Sequence, residues 1–468
     1  MKKILLLGIV ALILFVGVGV LAYFLLFDAD ADWTTRSPAA LEEFELGLLD
    51  LRRAARADAK ARFERALELD PEFAAAQLFL AQVTPHRGHD AESMVATLEA
   101  VDLEPLSPRE RYLIRHWIAV HRDDSIAAKE VIAEFLAELP NDLFAREAHC
   151  EATWEEQRYE EASTCYSDLI ESHPNWLQGY DRLGKLSMAQ GHFKKALEYF
   201  ETYRYIAPDQ TMPYVSLAQL LILVGRYPSA EEALTEALAI DSDACVVRST
   251  LIRLYSLTGR FDEAWQAIDE MATLPACMDF QAVGAFCSKR ASILYLEGDF
   301  DAAWQALTED GCLERLSYDI IGHRVALATR RFEEAQKLRQ ALEDGVARAE
   351  ERRQTTYRDW YLAALAHAEG VQLAHAGEHR AAAKELRKAD ELLYYWVGDL
   401  ASFKLFNRQT LLYVLRMQDD RIGAARLAQE IQDVNPKLVR EFVLPDMEVL
   451  GQRHAEATRT VLMTEQVK

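Results

Sequence analysis

Small and large apolar residues recur along this chain at a fixed interval of 34 residues. The small residue is an alanine, at Ala128, Ala162, Ala196, Ala230 and Ala264. A larger apolar residue follows four positions later, at Ile132, Tyr166, Phe200, Leu234 and Ile268. The small residue lets two helices approach, and the large one fills the gap to the next pair. The interval therefore predicts an all-α array of helix-turn-helix units.

Residues that form turns and helix ends keep the same interval. Glycines suited to a turn with positive φ stand between the two helices of a unit, at Gly191, Gly225 and Gly259. Prolines that stop the second helix stand at Pro140, Pro174 and Pro208. The run from Ser107 to Glu110 predicts another helix start, with Ser107 as the N-cap, Pro108 first in the helix and Glu110 closing a capping box.

Two stretches combine these residues in one pattern. The first is Leu183-Gly184, Gly191-His192-Phe193, Ala196, Phe200 and Pro208. The second is Leu46-Gly47, Ala59, Phe63, Ala66 and Asp70-Pro71. With these residues the chain resembles the tetratricopeptide repeat (TPR) family, and it is also similar to the TPR regions attached to bacterial protein kinases and winged-helix regulators. The resemblance implies a right-handed superhelical solenoid of about eleven repeats, whose first helices line a concave groove.

The resemblance also implies a function, which is to bind a peptide or helical segment of another protein in that groove. On this interpretation the chain is a scaffold that supports assembly of an envelope complex, without catalytic activity or cofactor. Two alternatives stay open at this point. One is a regulatory TPR protein that faces the cytoplasm, and the other is a metal-dependent enzyme.

The N-terminus carries a separate signal. Residues 4–27 contain no charge over 24 positions, and a helix of that length reaches about 36 Å, enough to cross a bilayer. Lys2 and Lys3 precede it, and Asp28, Asp30 and Asp32 follow it. The positive-inside rule then predicts a single-pass inner-membrane protein with its N-terminus in the cytoplasm and its array extracytoplasmic or periplasmic. A cleaved signal peptide, with Ala29-Asp30-Ala31 as its cleavage site, is the alternative.

These signals predict a division of the chain into six parts. They are a cytoplasmic N-terminus at 1–3, a transmembrane helix at 4–27, a linker at 28–39, the TPR array at 40–349, TPR-like repeats with lengthened helices at 350–440, and a C-terminal cap and tail at 441–468.

Charge and motifs narrow the candidate chemistry. The net charge of −23 argues against nucleic acid as a partner. The sequence contains no Gly-x-Ser-x-Gly, His-Glu-x-x-His, Walker or Cys-x-x-Cys motif. His367, Glu369, His375 and His379 form the best candidate metal cluster. Because His379 takes the aromatic position before a repeat alanine, packing explains it better, and we expect no metal site.

Aligning the repeats predicts which residues line the groove. They are Leu113, Trp117 and Val120 on one first helix, Phe144, Glu147, Glu151 and Trp154 on the next, and Met212, Val215, Gln219 and Ile222 two repeats further. Apolar anchors among carboxylates would accept a segment with apolar residues and some Lys or Arg. The alternative for Trp117 and Trp154 is that they pack between adjacent first helices and contact no partner.

The six cysteines contain one possible pair. Cys150 takes the small position of a first helix, and Cys165 lies on the second-helix face that looks back at it. The two readings are a disulfide and a pair of small buried apolar residues. The repeat positions of Cys245, Cys277, Cys287 and Cys312 indicate no pairing.

Overall fold

The computed structural model describes residues 33–52, 56–84, 89–122, 124–174, 176–274, 277, 280–309, 312–315, 320–395 and 402–466. These residues form helices joined by turns, without a strand. Contacts divide them into a first unit of residues up to Asp142, without residues 52–54, and a second unit from Leu143 onward. This division falls inside the range 40–349 that the sequence predicts as one array.

The first unit packs its helices around an aromatic core. Its helices are α1 (Pro38–Arg52), α2 (Arg56–Leu69), α3 (Ala74–Val83), α4 (His89–Glu99), α5 (Pro108–His121) and α6 (Ser125–Glu138). Phe44 is fully buried, and its ring lies 4.9 Å from Trp33 and 5.5 Å from Phe79, measured between centroids. Gly47 lets α1 close on α2, since a Cβ there would lie 2.6 Å from the ring of Phe63.

The start of α5 has the predicted capping box. The Ser107 hydroxyl accepts a hydrogen bond from the amide of Glu110, and the Glu110 carboxylate accepts one from the amide of Ser107 at 3.0 Å. The same carboxylate accepts the amide of Thr34 at 2.9 Å. Glu110 is 1% exposed, so this carboxylate both caps the helix and ties residue 34 to it.

The second unit continues the alternation of first and second helices. Its helices are α7 (Leu143–Glu155), α8 (Tyr159–Ser172), α9 (Gln178–Ala189), α10 (Phe193–Ile206), α11 (Thr211–Leu223), α12 (Tyr227–Ile240), α13 (Cys245–Leu257), α14 (Phe261–Ala272), α15 (Phe280–Glu297), α16 (Phe300–Thr308), α17 (Cys312–Arg315), α18 (Ile320–Ala328), α19 (Phe332–Glu351), α20 (Thr355–His375), α21 (His379–Leu392), α22 (Phe403–Met417), α23 (Arg421–Val434), α24 (Leu438–Glu441) and α25 (Pro445–Gln466). The helices α19 and α20 span 20 and 21 residues, against 12 to 14 in α7 to α14.

One backbone feature fixes the register of these hairpins. A residue with positive φ stands five positions before the small alanine of each second helix, at Gln157, Gly191, Gly225, Gly259, Gly298, Arg330, Gly377 and Asp419. The positive φ lets the chain reverse within a short turn, which glycine adopts without a steric penalty. Equivalent positions on different first helices can therefore be counted back from these turn residues.

The last hairpins of the second unit contact the turns of its first hairpins. The amide of Tyr395 donates to the carbonyl of Ala189 at 3.2 Å. The Asn435 amide group donates to the carbonyl of Leu223 and to the hydroxyl of Tyr227, both at 3.2 Å. Asn435 is fully buried, so its side chain fixes the end of α23 against the turn after α11.

The prediction of a single-pass membrane protein is wrong by the structural criterion. None of the helices in the described ranges combines the length and the apolar character needed to cross a bilayer. Residues 4–27, on which the prediction was based, lie outside the described residues. The predicted topology and the periplasmic location of the array depended on that span, and we withdraw them with it.

Candidate functional site

The predicted groove residues occupy repeated positions on the first helices. In α7, Phe144, Glu147, Glu151 and Trp154 stand 13, 10, 6 and 3 residues before the turn residue Gln157. In α11, Met212, Val215, Gln219 and Ile222 stand at the same distances before Gly225. We call these four the groove positions, and the surface that they form in the second unit the groove face. The remaining three predicted residues, Leu113, Trp117 and Val120, lie on α5 in the first unit.

The exposure of these residues differs from the expectation for Trp117, Trp154, Val215 and Ile222. Trp117 is 6% exposed and stacks on His121, with ring centroids 3.6 Å apart, and Trp154 is 8% exposed. Val215 and Ile222 are fully buried. These four are core residues in this structure and not exposed anchors, because neighbouring side chains or other segments cover them.

The other predicted groove residues keep part of their surface. Val120 is 48% exposed. The half-buried residues are Leu113, Phe144, Glu147, Glu151, Met212 and Gln219. Glu151 accepts a hydrogen bond from the hydroxyl of Tyr166 at 2.7 Å. That these residues contact a partner stays a prediction.

The groove face holds the chain's own C-terminal segment, which we define as Leu438–Met447. The Gln409 amide group donates to the carbonyl of Leu438 at 2.8 Å. The Arg324 guanidinium donates to Oδ1 of Asp446 at 2.8 Å, and the Tyr295 hydroxyl donates to the same oxygen at 2.6 Å. Gln409, Arg324 and Tyr295 stand 10, 6 and 3 residues before their turn residues. Three groove positions on three helices therefore hold this segment.

Apolar contacts complete the attachment of the C-terminal segment. Leu444 and Met447 are fully buried, and Leu438 and Phe442 are 3% and 8% exposed. They belong to the same buried cluster as Val215 and Ile222. The burial of these two predicted groove residues thus has a physical cause, since the chain's own segment packs into the cluster that contains them.

Arg324 is the centre of a buried polar network. Its guanidinium donates to the Tyr295 hydroxyl at 3.1 Å and to the Thr410 hydroxyl at 2.9 Å, and it lies 3.4 Å from Nε2 of His367. Nδ1 of His367 lies 2.9 Å from Oδ1 of Asn407. A ring with its proton on Nδ1 satisfies both contacts, because Nε2 then accepts from the guanidinium.

Burial and charge set the ionisation of this network. Burial alone would raise the pKa of Asp446, but the positive charge of Arg324 outweighs it, and the pKa lies below its usual value. Burial and then the charge of Arg324 lower the pKa of His367 and of His323 to about 3. Burial lowers the pKa of His375 to about 4. The network therefore contains one ion pair and neutral histidines near pH 7.

The candidate metal residues have different surroundings. His367 belongs to the Arg324 network, Glu369 is exposed, and the His379 ring packs edge-on against His454 at 4.7 Å. Within the described ranges no group of three or more His, Cys, Asp or Glu side chains is arranged to hold a metal ion.

The cysteines are joined in three disulfides. Cys150 pairs with Cys165, so the structure has the first of the two readings, with a Cα separation of 5.5 Å. Cys245 pairs with Cys277 and Cys287 with Cys312, at Cα separations of 5.6 and 6.2 Å. Each bond closes within one hairpin.

Comparisons with known proteins yield likeness to solved structures only. No family profile and no curated protein matches the chain. A tetratricopeptide repeat protein from Parabacteroides merdae is 15% identical, with a TM-score of 0.38, over 61% of this chain and 93% of that one. PilW, a type IV pilus biogenesis factor, is 16% identical, with a TM-score of 0.32, over 53% and 98%. Cut9–Hcn1 of the APC/C is 14% identical, with a TM-score of 0.49, over 89% and 76%.

These likenesses concern the fold. The predicted all-α array of TPR-like hairpins is confirmed, and it is visible in the described hairpins themselves. The handedness of the superhelix and the number of about eleven repeats stay predictions.

Proposed function

We propose that this chain is a non-enzymatic scaffold that binds a segment of another protein on the groove face of its second unit. One observation carries the proposal. The groove position six residues before the turn is polar or charged in six successive hairpins, at Glu151, Lys185, Gln219, Arg253, Ser292 and Arg324. A helix face that only packs against its neighbours is expected to be apolar at such a position. A row of polar side chains across successive helices is better suited to a ligand.

The charges on the first helices of this unit indicate the partner's chemistry. Glu147 and Glu151 on α7 are suited to basic residues of the partner. On α9, Lys185 contacts Asp181 at 2.7 Å, and Asp181 also accepts the hydroxyl of Ser216 at 2.6 Å. This part of the face is therefore held in a defined arrangement before any partner arrives, which limits the entropy lost on binding.

The role in assembling an envelope complex depended on the membrane span that we have withdrawn. We therefore limit the proposal to the binding of a protein partner.

Crosslinking tests the proposal at matched positions. A photoreactive phenylalanine analogue in place of Gln219 lies on the groove face, and one in place of Glu232 lies on the exposed side of α12. We expect the first to crosslink a discrete protein, identified by mass spectrometry, and the second to give no such product. The purified partner should then bind the Gln219→Trp variant at least about tenfold more weakly, or ~1.4 kcal/mol, and the Glu232→Trp variant unchanged. Equal crosslinking at both positions would refute the groove face as the binding surface.

A further inference from the structure

The C-terminal segment contacts the groove face in the way a bound peptide would. One groove-position side chain holds its main chain, at the carbonyl of Leu438, and two hold the side chain of Asp446. We propose that Leu438–Met447 is an intramolecular ligand, and that the partner's segment displaces it by placing a carboxylate of its own on Arg324. This inference rests on the proposed function, because it names the kind of partner that the same face accepts.

The receptor for the carboxylate belongs to the repeats and not to the segment. Tyr295 on α15, Thr410 on α22 and His367 on α20 all contact the Arg324 guanidinium. The guanidinium also lies over the ring of Phe406, 4.8 Å from its centroid. These contacts do not involve Asp446, so the fork stays oriented when the segment leaves. A fixed guanidinium with a free N–H is pre-organised for a carboxylate.

The chemistry of the contact favours exchange over permanent burial. Both side chains of the Arg324–Asp446 pair are fully buried. Such a pair adds little stability over apolar residues of the same volume, so its use lies in selecting what fits. Oδ2 of Asp446 has no hydrogen-bond partner among the described residues, so the segment satisfies the carboxylate only in part.

The segment also shows which sequence the face accepts. Phe442 and Leu444 are buried while Val443 between them is 43% exposed, as in an extended strand. Pro445 then starts α25, and Asp446 and Met447 are buried in its first turn. The fitting partner segment therefore has two large apolar residues two positions apart, then a carboxylate two positions later with an apolar residue after it.

A competition experiment with the full chain tests this proposal. The probe is a fluorescein-labelled peptide of residues 438–450, with the same peptide carrying Asp446→Asn as its control. The Asp446→Asn chain holds its own segment less well, so it should bind the unsubstituted peptide at least tenfold more tightly than the natural chain does. The Asp446→Asn peptide should bind that chain at least tenfold more weakly than the unsubstituted one. A Glu448→Gln chain is the matched control, because Glu448 is an exposed carboxylate on the same helix, and it should behave as the natural chain.

The outcomes of the peptide titration decide the proposal. Equal binding of the two peptides by a folded Asp446→Asn chain would overturn carboxylate recognition. So would a folded Asp446→Asn chain that binds neither peptide. If circular dichroism shows that this variant does not fold, hydrogen exchange on the natural chain decides instead.

The exchange measurement compares two parts of one chain. A displaceable segment should exchange the amides of residues 438–450 by local opening, at least tenfold faster than the amides of α22. Exchange of both at one rate, only through global unfolding, would make the segment a permanent part of the core and overturn the proposal. In that case crosslinking at position 219 would still report on the proposed function, so the two failures are distinguishable.

Discussion

Mild acid should destabilise the second unit through three buried histidines. His323, His367 and His375 have folded-state pKa values of about 3, about 3 and about 4. An unfolded chain returns each of them to about 6.5. A base whose pKa is lowered on folding is neutral in the native state, so below pH 6.5 the unfolded chain binds more protons than the folded one. Stability is complete above about pH 6.5 and is lost as the pH falls toward the folded-state values.

The expected size follows from linkage. At pH 5 each histidine costs about 2 kcal/mol relative to pH 7.5, so the three together remove ~6 kcal/mol. That is comparable with the whole stability of many domains. Asp446 does not interfere in this range, because its lowered pKa keeps it ionised in the folded state and it titrates only below about pH 4 in the unfolded chain. His116 and His379 also have lowered pKa values and add to the total slope.

A single variant isolates the effect of one histidine. Neither ring nitrogen of His323 has a hydrogen-bond partner in the described part of the chain, so His323→Leu removes a titrating group without breaking a bond. Urea unfolding followed by circular dichroism between pH 7.5 and 5 should show about 2 kcal/mol less acid destabilisation in this variant. His149→Leu, on an exposed position of α7, should leave the pH dependence unchanged. An identical pH profile for His323→Leu and the natural chain would refute the reasoning.

Two further predictions concern stability. Replacing Cys150 and Cys165 together by Ser opens a loop with a sequence separation of 15, so the free energy of unfolding should fall by about 3 kcal/mol in non-reducing buffer. An unchanged urea midpoint would show that the disulfide contributes nothing. Gly184→Ala should cost about 1–3 kcal/mol, because the new Cβ would overlap the ring of Phe200. The matched Gly451→Ala change meets nothing within 4 Å and should not destabilise the chain, and equal melting temperatures for the two variants would contradict the packing argument.

Local pattern was sufficient to predict the hairpins but not what covers them. The repeat alanines and the capping box at Ser107 depend on contacts within a few residues or one hairpin, which a periodic sequence records directly. The turn residues Arg330 and Asp419 adopt positive φ without being glycine, and the sequence alone does not single them out.

The groove face was predicted in register but not in exposure. Val215 and Ile222 do stand at groove positions, yet their burial depends on a segment more than 200 residues later in the chain. The contact of Arg324 with Asp446 joins residues 122 positions apart, and no periodic signal marks it. The one available clue was that Arg324 falls six residues before a turn, in line with Glu151 and Gln219. Cys150 and Cys165 could be considered as a pair because they share one regular hairpin.

The placement of the disulfides has a mechanical consequence. The three bonds each close within a hairpin, so they stiffen single links and leave the joints between links free to stretch. Under tension the second unit should extend by parting hairpin from hairpin, while the covalent loops stay shut. Reducing the 245–277 bond releases a sequence separation of 32, or about 110 Å of additional contour length. The chain is thus built as a spring whose maximum length depends on the thiol–disulfide balance around it.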